Sequence, residues 1–152
     1  MITAQVEPYA DALPELVALY HDHWSELAMD KEYPEAGLDP MWEVYDQRDA
    51  SGQVLLVTLR ETGKMIGYFL GFVAPGLHYR RCLTYHSDIF RVVPEHRGRM
   101  GGKRMVRVVI EECRRRGVKR VFLGEKLHMP CAQLFAAFGA RPVERMHSLW
   151  LS

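Results

Sequence analysis

Cysteine is scarce in this chain, and its arrangement excludes two classes of site. The three cysteines, Cys82, Cys113 and Cys131, are widely spaced and form no CxxC pair. An odd, scattered set argues against a disulfide framework and against a zinc site. The HDH triplet at residues 21–23 does not suggest a metal either, because side chains two apart on a helix do not face each other. We therefore predict a reduced protein with no metal.

Long apolar runs are also missing. No stretch approaches the roughly 18–20 apolar residues that a membrane-spanning helix needs. The N-terminus has neither the basic region nor the apolar region of a secretory signal, so we expect a cytoplasmic protein with no membrane partner. A chain of 152 residues, 48% hydrophobic and 26% charged, is typical of one globular domain over residues 1–152.

Positive charge is nearly absent from the first third of the chain. Residues 1–50 carry 12 acidic and 2 basic side chains, whereas residues 51–152 carry 7 acidic and 18 basic ones, and the net formal charge is +1. Solvent-exposed helix faces of opposite sign would explain this pattern. A basic half that binds an anionic ligand and an acidic half that faces a cationic one would explain it equally well.

Hydrophobic periodicity predicts nine elements in the order α-α-β-β-β-α-β-α-β. We expect helices over 10–29, 40–49, 102–117 and 129–139, and strands over 53–61, 65–74, 82–93, 119–126 and 141–152. Three consecutive strands followed by alternating elements predict an α/β (α+β) fold, in which a mixed sheet has helices on both faces.

A basic, glycine-rich turn, PEHRGRMGG, occupies residues 94–102 between a predicted strand and a predicted helix. The first N–H groups of a helix have no partner within the helix, and with the helix dipole they form an anion site. Glycine lets an oxygen approach without a Cβ in the way, and Arg97, Arg99 and Lys103 add positive charge. The spacing is neither GxxxxGK[ST] nor GxGxxG, which excludes a P-loop NTPase and disfavours a dinucleotide fold. On this stretch alone, an ordinary charged turn stays an alternative.

The wider segment VVPEHRGRMGGKRMVRVVIEECRRRGVKRVFL resembles the acetyl-CoA-binding segment of the GNAT superfamily of N-acetyltransferases. The matching residues are Val92, Pro94, Arg97, Gly98 and Gly102, and the later PCAQLFAAFG is similar to the next helix of the family. The order of elements also agrees, so the resemblance covers nearly the whole chain, and it extends to small GNAT-like proteins of bacteriophages. It implies a single GNAT-like domain with a mostly antiparallel central sheet, splayed at strands 4 and 5.

The resemblance implies acetyl-CoA as the acyl donor. Its pantetheine arm would insert between residues 84–93 and 121–124, where backbone groups of Phe90 and Val92 would bind it and an N–H would stabilise the oxyanion. The implied donor contacts are Phe90, Arg91, Val92, Val93, Arg97, Gly98, Arg99, Met100, Gly101, Gly102, Lys103 and Phe135. Three residues depart from the family pattern. Met100 replaces a glycine of the loop, Ala140 replaces an aromatic residue, and Phe135 replaces the tyrosine that protonates the leaving thiolate.

Four residues are candidates for catalytic roles, in proton transfer or in support of it. His86 stands where the histone-acetylating branch carries its catalytic glutamate, and Asp88 follows on the same strand face. Histidine titrates near neutral pH, which suits a base, and Asp88 would orient it or bind the ammonium; a structural pair or solvent exposure is the alternative. Glu125 is a second candidate base. Cys131 is a candidate acid in place of the missing tyrosine, and His128 or water could donate instead. A small buried thiol without a catalytic role is the alternative for Cys131.

The acceptor is predicted from less specific features. Trp24, Tyr33, Trp42 and Tyr79 are candidates for its pocket, and core packing of the first two helices is the alternative for such aromatic residues. The acidic residues of 30–43 hint at a cationic acceptor. The sequence therefore favours an acetyl-CoA-dependent N-acetyltransferase that acts by direct attack on an amine-bearing small molecule or protein, as a monomer or homodimer. The alternatives are an inactive GNAT-fold binding protein, and a nucleic-acid binder, which the lack of aromatics among the basic residues disfavours.

Overall fold

The computed structural model describes residues 1–151 and contains a five-stranded sheet with helices on both faces. The strands are β1 (Ile2–Val6), β2 (Val54–Glu61), β3 (Lys64–Gly76), β4 (Tyr79–Val92) and β5 (Arg120–Phe122). The helices are α1 (Tyr9–Leu27), α2 (Trp42–Ala50), α3 (Gly101–Arg115) and α4 (Ala132–Ala136), with 3₁₀ turns at Pro34–Ala36 and Pro94–His96. The strands lie in sequence order; the first four are antiparallel and β4 pairs with β5 in parallel. The predicted mixed, mostly antiparallel sheet is confirmed.

The two faces of the sheet bury different sets of side chains. Because successive strand residues point to opposite faces, the unbroken apolar run of β2 supplies both layers. One layer, which we call the α3 face, includes Leu55, Val57, Leu59, Phe69, Met105, Val106 and Val109. The other, which we call the α1 face, includes Tyr9, Ala12, Leu16, Leu56, Tyr68 and Leu70. Each buried aliphatic side chain contributes about 1.5–3 kcal/mol of transfer free energy, so both layers stabilise the sheet.

Helix α3 has the clearest amphipathic pattern in the chain. Met105, Val109 and Cys113 recur at four-residue steps and are buried against the sheet. The helix ends just before Gly117, whose φ of +79° is the left-handed conformation that favours glycine at a helix C-terminus. None of the helices within residues 1–151 is both long and apolar enough to cross a membrane.

The sequence prediction missed β1. This strand pairs antiparallel with β2, but only Ile2 and Ala4 reach the core, so its alternation is weak and ends at Glu7–Pro8. The predicted boundaries of β5 and α4 were also too generous, since β5 covers three residues and α4 five.

The predicted last strand, residues 141–152, is wrong. Residues 141–151 form no strand, and the backbone N–H groups of this stretch donate no hydrogen bond to residues 1–151; Ser152 lies outside the described residues. Apolar residues such as Val143, Met146 and Leu149 are exposed. A strand-like composition produces a strand only when a neighbouring strand pairs with it, and β5 is too short to provide one.

Candidate active site

The first feature of the site is a gap between β4 and β5, which we call the β4–β5 split. The two strands pair over three residues, ending at His86 and Phe122, whereas β4 continues to Val92. The hydroxyl of Ser87 accepts a hydrogen bond of 2.8 Å from the N–H of Gly124, just beyond the last pair. From there the strands separate, so the predicted splay of the sheet is confirmed.

The backbone of β4 presents polar groups to this split. The N–H of Val93 donates to the carbonyl of Ile66 in β3 at 2.9 Å. Because N–H and C=O groups alternate in direction along a strand, those of Phe90 and Val92 point away from β3, into the split. The carbonyl of Val92 accepts a hydrogen bond of 2.9 Å from Nε of Arg97, which leaves the Val92 N–H and both groups of Phe90 to face the split.

The second feature is the glycine loop, residues 97–102, which leads from the 3₁₀ turn after β4 into α3. The N–H groups of residues 98–103 donate to no acceptor within residues 1–151. Gly98 (φ +77°) and Met100 (φ +64°) are left-handed, a conformation that gathers successive N–H groups into an anion-binding concavity. A Cβ on Gly98 would meet nothing within 4 Å, so the loop is open on that side. Six free N–H groups at a helix N-terminus fit the oxyanions of a pyrophosphate.

The other two glycines of the loop have a packing role. A Cβ on Gly101 would lie 2.6 Å from Cδ2 of Leu59, and one on Gly102 would lie 3.2 Å from Cδ2 of Leu134. Both glycines therefore let α3 begin close against β2 and α4. Close packing against the sheet therefore favours glycine at position 101, whereas at position 102 a small shift of the Leu134 side chain would accommodate a Cβ.

The side chains of the loop differ in whether they contact the rest of the protein. Arg97 donates to the Val92 carbonyl and forms an ion pair with Glu26 of α1, so its guanidinium is held on the α1 side. The side chains of Arg99, Met100 and Lys103 are exposed, and Met100 is 54% exposed. Of the cations that the sequence predicted at this turn, only Arg99 and Lys103 are free to reach an anion.

The third feature is a bulge in β4. Leu70 pairs with Ile89 and Gly71 pairs with Ser87, which leaves Asp88 without a partner on β3. A bulge of this kind redirects a side chain, and Asp88 Oδ2 accepts a hydrogen bond of 2.5 Å from the Tyr45 hydroxyl of α2. Burial, followed by this carboxylate, raises the pKa of Tyr45, so the phenol stays protonated and donates.

His86 lies on the same side of the sheet but does not contact Asp88. Its ring stacks on Phe122 of β5 with centroids 4.8 Å apart, and its neighbour on β3 is Phe72, which packs on the α1 face. The side chain is exposed and forms no hydrogen bond with residues 1–151. The structure thus places His86 and Asp88 at the mouth of the split as separate groups, with Tyr45 as the partner of the carboxylate.

Glu125 and Cys131 contact each other at the start of α4. Glu125 Oε2 accepts a hydrogen bond of 2.5 Å from the N–H of Cys131. Burial raises the pKa of the Cys131 thiol to about 12, and the Glu125 carboxylate adds to this shift. Phe135 is buried and packs edge-on against Phe90, with centroids 5.7 Å apart. Glu125 is therefore engaged in holding α4, and Cys131 is a neutral thiol at physiological pH.

The predicted acceptor aromatics fall in different places. Trp42 lies 5.4 Å from Tyr45 between ring centroids, so it borders Asp88. Lys31 Nζ lies 5.4 Å from the centroid of the Trp24 ring, and the rings of Tyr33 and Trp150 are stacked with centroids 4.4 Å apart. Tyr79 begins β4, nine residues before Asp88, which corresponds to about 30 Å along a strand. Of the four predicted aromatic residues, only Trp42 packs against Tyr45, the residue that is hydrogen-bonded to Asp88, and Tyr20 meets Trp42 edge-on at 5.6 Å.

Arg91 points to the α1 face and is buried with a histidine of α1. Its side chain is 7% exposed and lies beside Glu26, with 3.6 Å between Arg91 Nη2 and Glu26 Oε2. His23 is buried nearby and is hydrogen-bonded to the Tyr68 hydroxyl at 2.5 Å. Burial, and then the charge of Arg91, lowers the pKa of His23 to about 4, so this imidazole is neutral. Neither Glu26 nor Tyr68 belongs to a local sequence pattern that would mark it as functional.

The sequence can also be compared with known families. The sequence model of the Acetyltransferase (GNAT) family matches residues 14–140 of the 152. The chain belongs to the GNAT family. This membership supports acetyltransferase chemistry at the level of the family, as predicted. No curated protein matches the sequence at a significant level.

Solved GNAT structures share this fold at low sequence identity. A ribosomal-protein-alanine N-acetyltransferase from Brucella melitensis biovar Abortus 2308 is similar with a TM-score of 0.76 and 14% identity, over 100% of this chain and 99% of that chain. An aminoglycoside acetyltransferase from an uncultured soil metagenomic sample, in complex with sisomicin, has a TM-score of 0.73 and 12% identity, over 99% and 95%. A predicted acetyltransferase from Clostridium acetobutylicum with acetyl-CoA has a TM-score of 0.70 and 11% identity, over 98% and 96%.

The structure accounts for two of the three residues that depart from the GNAT sequence pattern, Met100 and Phe135. Met100 keeps the left-handed backbone that glycine would adopt, so the N–H groups of the loop remain in place. Phe135 fills a core position beside Phe90, where its ring contributes packing. Because a phenylalanine ring has no proton to donate, this GNAT protein lacks an acid at position 135.

Proposed function

We propose that this protein is an acetyl-CoA-dependent N-acetyltransferase that acts on a primary amine, either a small molecule or a lysine or N-terminus of a protein, by direct attack. The observation that carries the proposal is the set of six free N–H groups at residues 98–103 beside the open β4–β5 split. Acetyl-CoA, when bound, supplies an activated thioester. The pyrophosphate would lie on the N–H groups of residues 98–103, and the pantetheine arm would bind the backbone of Phe90 and Val92.

The balanced reaction defines what the side chains must do. A new N–C bond forms, the thioester C–S bond breaks, one proton leaves the attacking amine and one is taken up by the departing thiolate. In this proposal Asp88 binds the ammonium form of the acceptor, and Tyr45 fixes its carboxylate through their 2.5 Å hydrogen bond. His86 takes the proton at its exposed imidazole. A positioned base of this kind contributes roughly 10²–10⁴-fold to the rate.

The proton for the departing thiolate can come from a side chain or from water. Cys131 is a candidate on position, but its pKa of about 12 makes its thiol a poorer acid than an ordinary one. Water that enters through the split is the simpler donor. Replacement of Cys131 by alanine is therefore expected to change kcat by less than about threefold, whereas a true general acid would cost roughly 10²-fold or more.

Calorimetry with acetyl-CoA, followed by thiol release with a panel of amines and peptides, tests the proposal. The sharpest variant is Gly98→Ala, which strains the left-handed loop, and its matched control is Gly52→Ala. Both glycines have positive φ, and a Cβ on either would meet nothing within 4 Å. We expect both variants to lose similar stability and only Gly98→Ala to lose acetyl-CoA affinity, by about tenfold. Equal affinities in the two variants would contradict a pyrophosphate site at this loop.

A GNAT-fold binding protein without catalysis is the second candidate. It is favoured by Phe135, which removes the usual acid, and by Met100, which occupies a strained backbone position. This candidate predicts acetyl-CoA or partner binding with no release of thiol for any amine in the panel. Release of thiol that depends on His86 would exclude it.

A further inference from the structure

A carboxylate of α1 lies between two arginines that border the donor site. Glu26 Oε1 forms an ion pair with Nη2 of Arg97 in the glycine loop, and Oε2 lies 3.6 Å from Nη2 of Arg91 in β4. The side chains of Glu26, Arg91 and Arg97 are 23%, 7% and 40% exposed. Within residues 1–151, Glu26 is the only carboxylate at ion-pair distance from either arginine.

Arg97 connects three parts of the molecule through one guanidinium. Its Nη2 donates to Glu26 of α1, and its Nε donates to the carbonyl of Val92 at the end of β4. The backbone of Arg97 immediately precedes the free N–H groups that begin at Gly98. Charge-assisted hydrogen bonds are stronger and geometrically more restrictive than neutral ones. The start of the glycine loop is therefore fixed to α1 and to β4 together.

The surroundings of this carboxylate favour a lasting ion pair. His23, one turn earlier on α1, is buried and neutral, and its ring is engaged with the Tyr68 hydroxyl. It therefore provides no competing charge for Glu26. Nε of Arg91 is buried and has no hydrogen-bond partner within residues 1–151, so the charge of Arg91 is balanced by Glu26 alone.

We infer that Glu26 is a positioning residue for the donor, which orders the glycine loop through Arg97 without touching the ligand. The inference rests on the proposed function, because it assumes that the loop binds the pyrophosphate. The loop contains a non-glycine residue, Met100, in a left-handed conformation that such residues disfavour, so an untethered loop would lose more conformational freedom on binding. A loop held in its binding conformation before the ligand arrives avoids that entropic cost. Helix α1 packs on the face of the sheet where Asp88 lies, and through Glu26 it would also order the loop that binds the donor.

The test compares Glu26→Gln with a matched control on the same helix. Glu15 also joins α1 to the sheet, through Arg60 at 2.9 Å and the N–H of Met65 at 3.2 Å, but it lies three turns before Glu26 on α1 and forms no ion pair with Arg97 or Arg91. We expect Glu26→Gln to raise the Kd of CoA and the KM of acetyl-CoA about tenfold, with kcat within twofold. Glu15→Gln should change neither. With S-acetylpantetheine, which has no pyrophosphate, Glu26→Gln and the unsubstituted protein should have the same KM.

A double-mutant cycle separates positioning from direct contact. If Glu26 acts through Arg97, then Arg97→Gln and the double variant should lose no more CoA affinity than Glu26→Gln alone. Additive losses would mean that Arg97 binds the donor independently, and would overturn the inference. Should Glu26→Gln fail to fold, Arg97→Lys keeps the charge but cannot hold Glu26 and the Val92 carbonyl in the same geometry, so it should also lose CoA affinity; full affinity in this variant would overturn the inference.

The two proposals fail in different ways. If the unsubstituted protein does not bind CoA, the proposed function is wrong and this inference falls with it. If the unsubstituted protein and Glu26→Gln bind CoA equally, only the inference is wrong. A KM effect that persists with S-acetylpantetheine would also overturn it, because the change would then not involve the pyrophosphate.

Discussion

At the scale of single residues, Met100 is the position where the sequence and the backbone conformation disagree most. Its φ of +64° lies in the left-handed region, which costs a residue with a Cβ about 1–2 kcal/mol. Its side chain is more than half exposed and contributes little packing. The position shows that the loop keeps its shape against the preference of the residue that occupies it.

Met100→Gly should therefore stabilise the protein. Relief of the left-handed conformation stabilises the folded state by about 1–2 kcal/mol. The greater freedom of glycine in the unfolded chain offsets about 0.5–1 kcal/mol of this gain. We expect a net gain of about 0.5–1 kcal/mol in urea denaturation, with acetyl-CoA affinity within twofold. Thr62→Gly is the matched control, because Thr62 is the other non-glycine residue with positive φ (48°) within residues 1–151 and lies in the β2–β3 turn. A loss of stability in Met100→Gly would show that the methionine makes favourable contacts.

His86→Ala tests the proposed base. Because the exposed imidazole forms no hydrogen bond with residues 1–151, its removal should cost only its stacking on Phe122, about 0.5–1.5 kcal/mol, while kcat/KM for a good amine falls by about 10²-fold. The activity of both proteins is compared across about pH 6 to 9. His78→Ala, at an exposed turn before β4, serves as the control. Full kcat in His86→Ala over this pH range would disprove the assignment.

At the scale of elements, a feature could be predicted from the sequence when its interacting residues lie close together along the chain. The glycine loop was predictable because glycines and a helix N-terminus are adjacent in the chain, so their N–H groups converge locally. The pairing of Tyr45 with Asp88 joins residues 43 apart, and that of Glu26 with Arg97 joins residues 71 apart. These contacts depend on the bulge in β4 and on the packing of α1, and neither leaves a local pattern in the sequence.

The junction of β1 and α1 provides a test of element packing by pH. Glu7 lies between the two elements and accepts hydrogen bonds from Arg60 Nε at 2.6 Å and Nη2 at 2.9 Å. These bonds, with one from Thr58, lower the pKa of Glu7 to about 2 despite its partial burial. A carboxyl whose pKa is lowered in the folded state stabilises the protein above its unfolded pKa of about 4.5, and this contribution is lost as the pH falls toward 2.

Glu7→Gln should remove that contribution. We expect a loss of about 2–3 kcal/mol in the free energy of unfolding at pH 7, since Arg60 then lacks its main partner. The difference between the variant and the unsubstituted protein should shrink between about pH 4.5 and pH 2. Glu112, whose pKa is also lowered to about 2 by Arg115 and Arg116, titrates in the same window in both proteins and cancels in the comparison. A constant difference at all pH values would contradict the pairing of Glu7 with Arg60.

At the scale of the whole molecule, the charge asymmetry of the sequence becomes an asymmetry across the sheet. The acidic first third forms α1 and α2 on one face, whereas the basic remainder places α3 on the other. The exposed cations of α3 include Lys103, Arg104, Arg107, Arg114 and Arg115. Because α3 begins at the glycine loop, the positive potential of these side chains extends over the proposed pyrophosphate site. Asp88 and its aromatic neighbours lie on the opposite, acidic side of the sheet. This arrangement is consistent with both interpretations of the sequence pattern, solvated faces and complementary ligand charges.

This arrangement predicts that salt weakens donor binding through long-range steering more than through direct contacts. Raising the ionic strength from about 0.05 to 0.5 M shortens the screening length from more than 10 Å to less than 8 Å, so the KM of acetyl-CoA should rise by roughly threefold. S-acetylpantetheine carries no charge, and its KM should stay constant over the same range. Arg99→Gln should cost less affinity than Gly98→Ala, since the N–H groups, and only secondarily the cations, hold the anion. A KM of acetyl-CoA that does not depend on salt would mean that the basic face of α3 is a solvated surface without a role in binding.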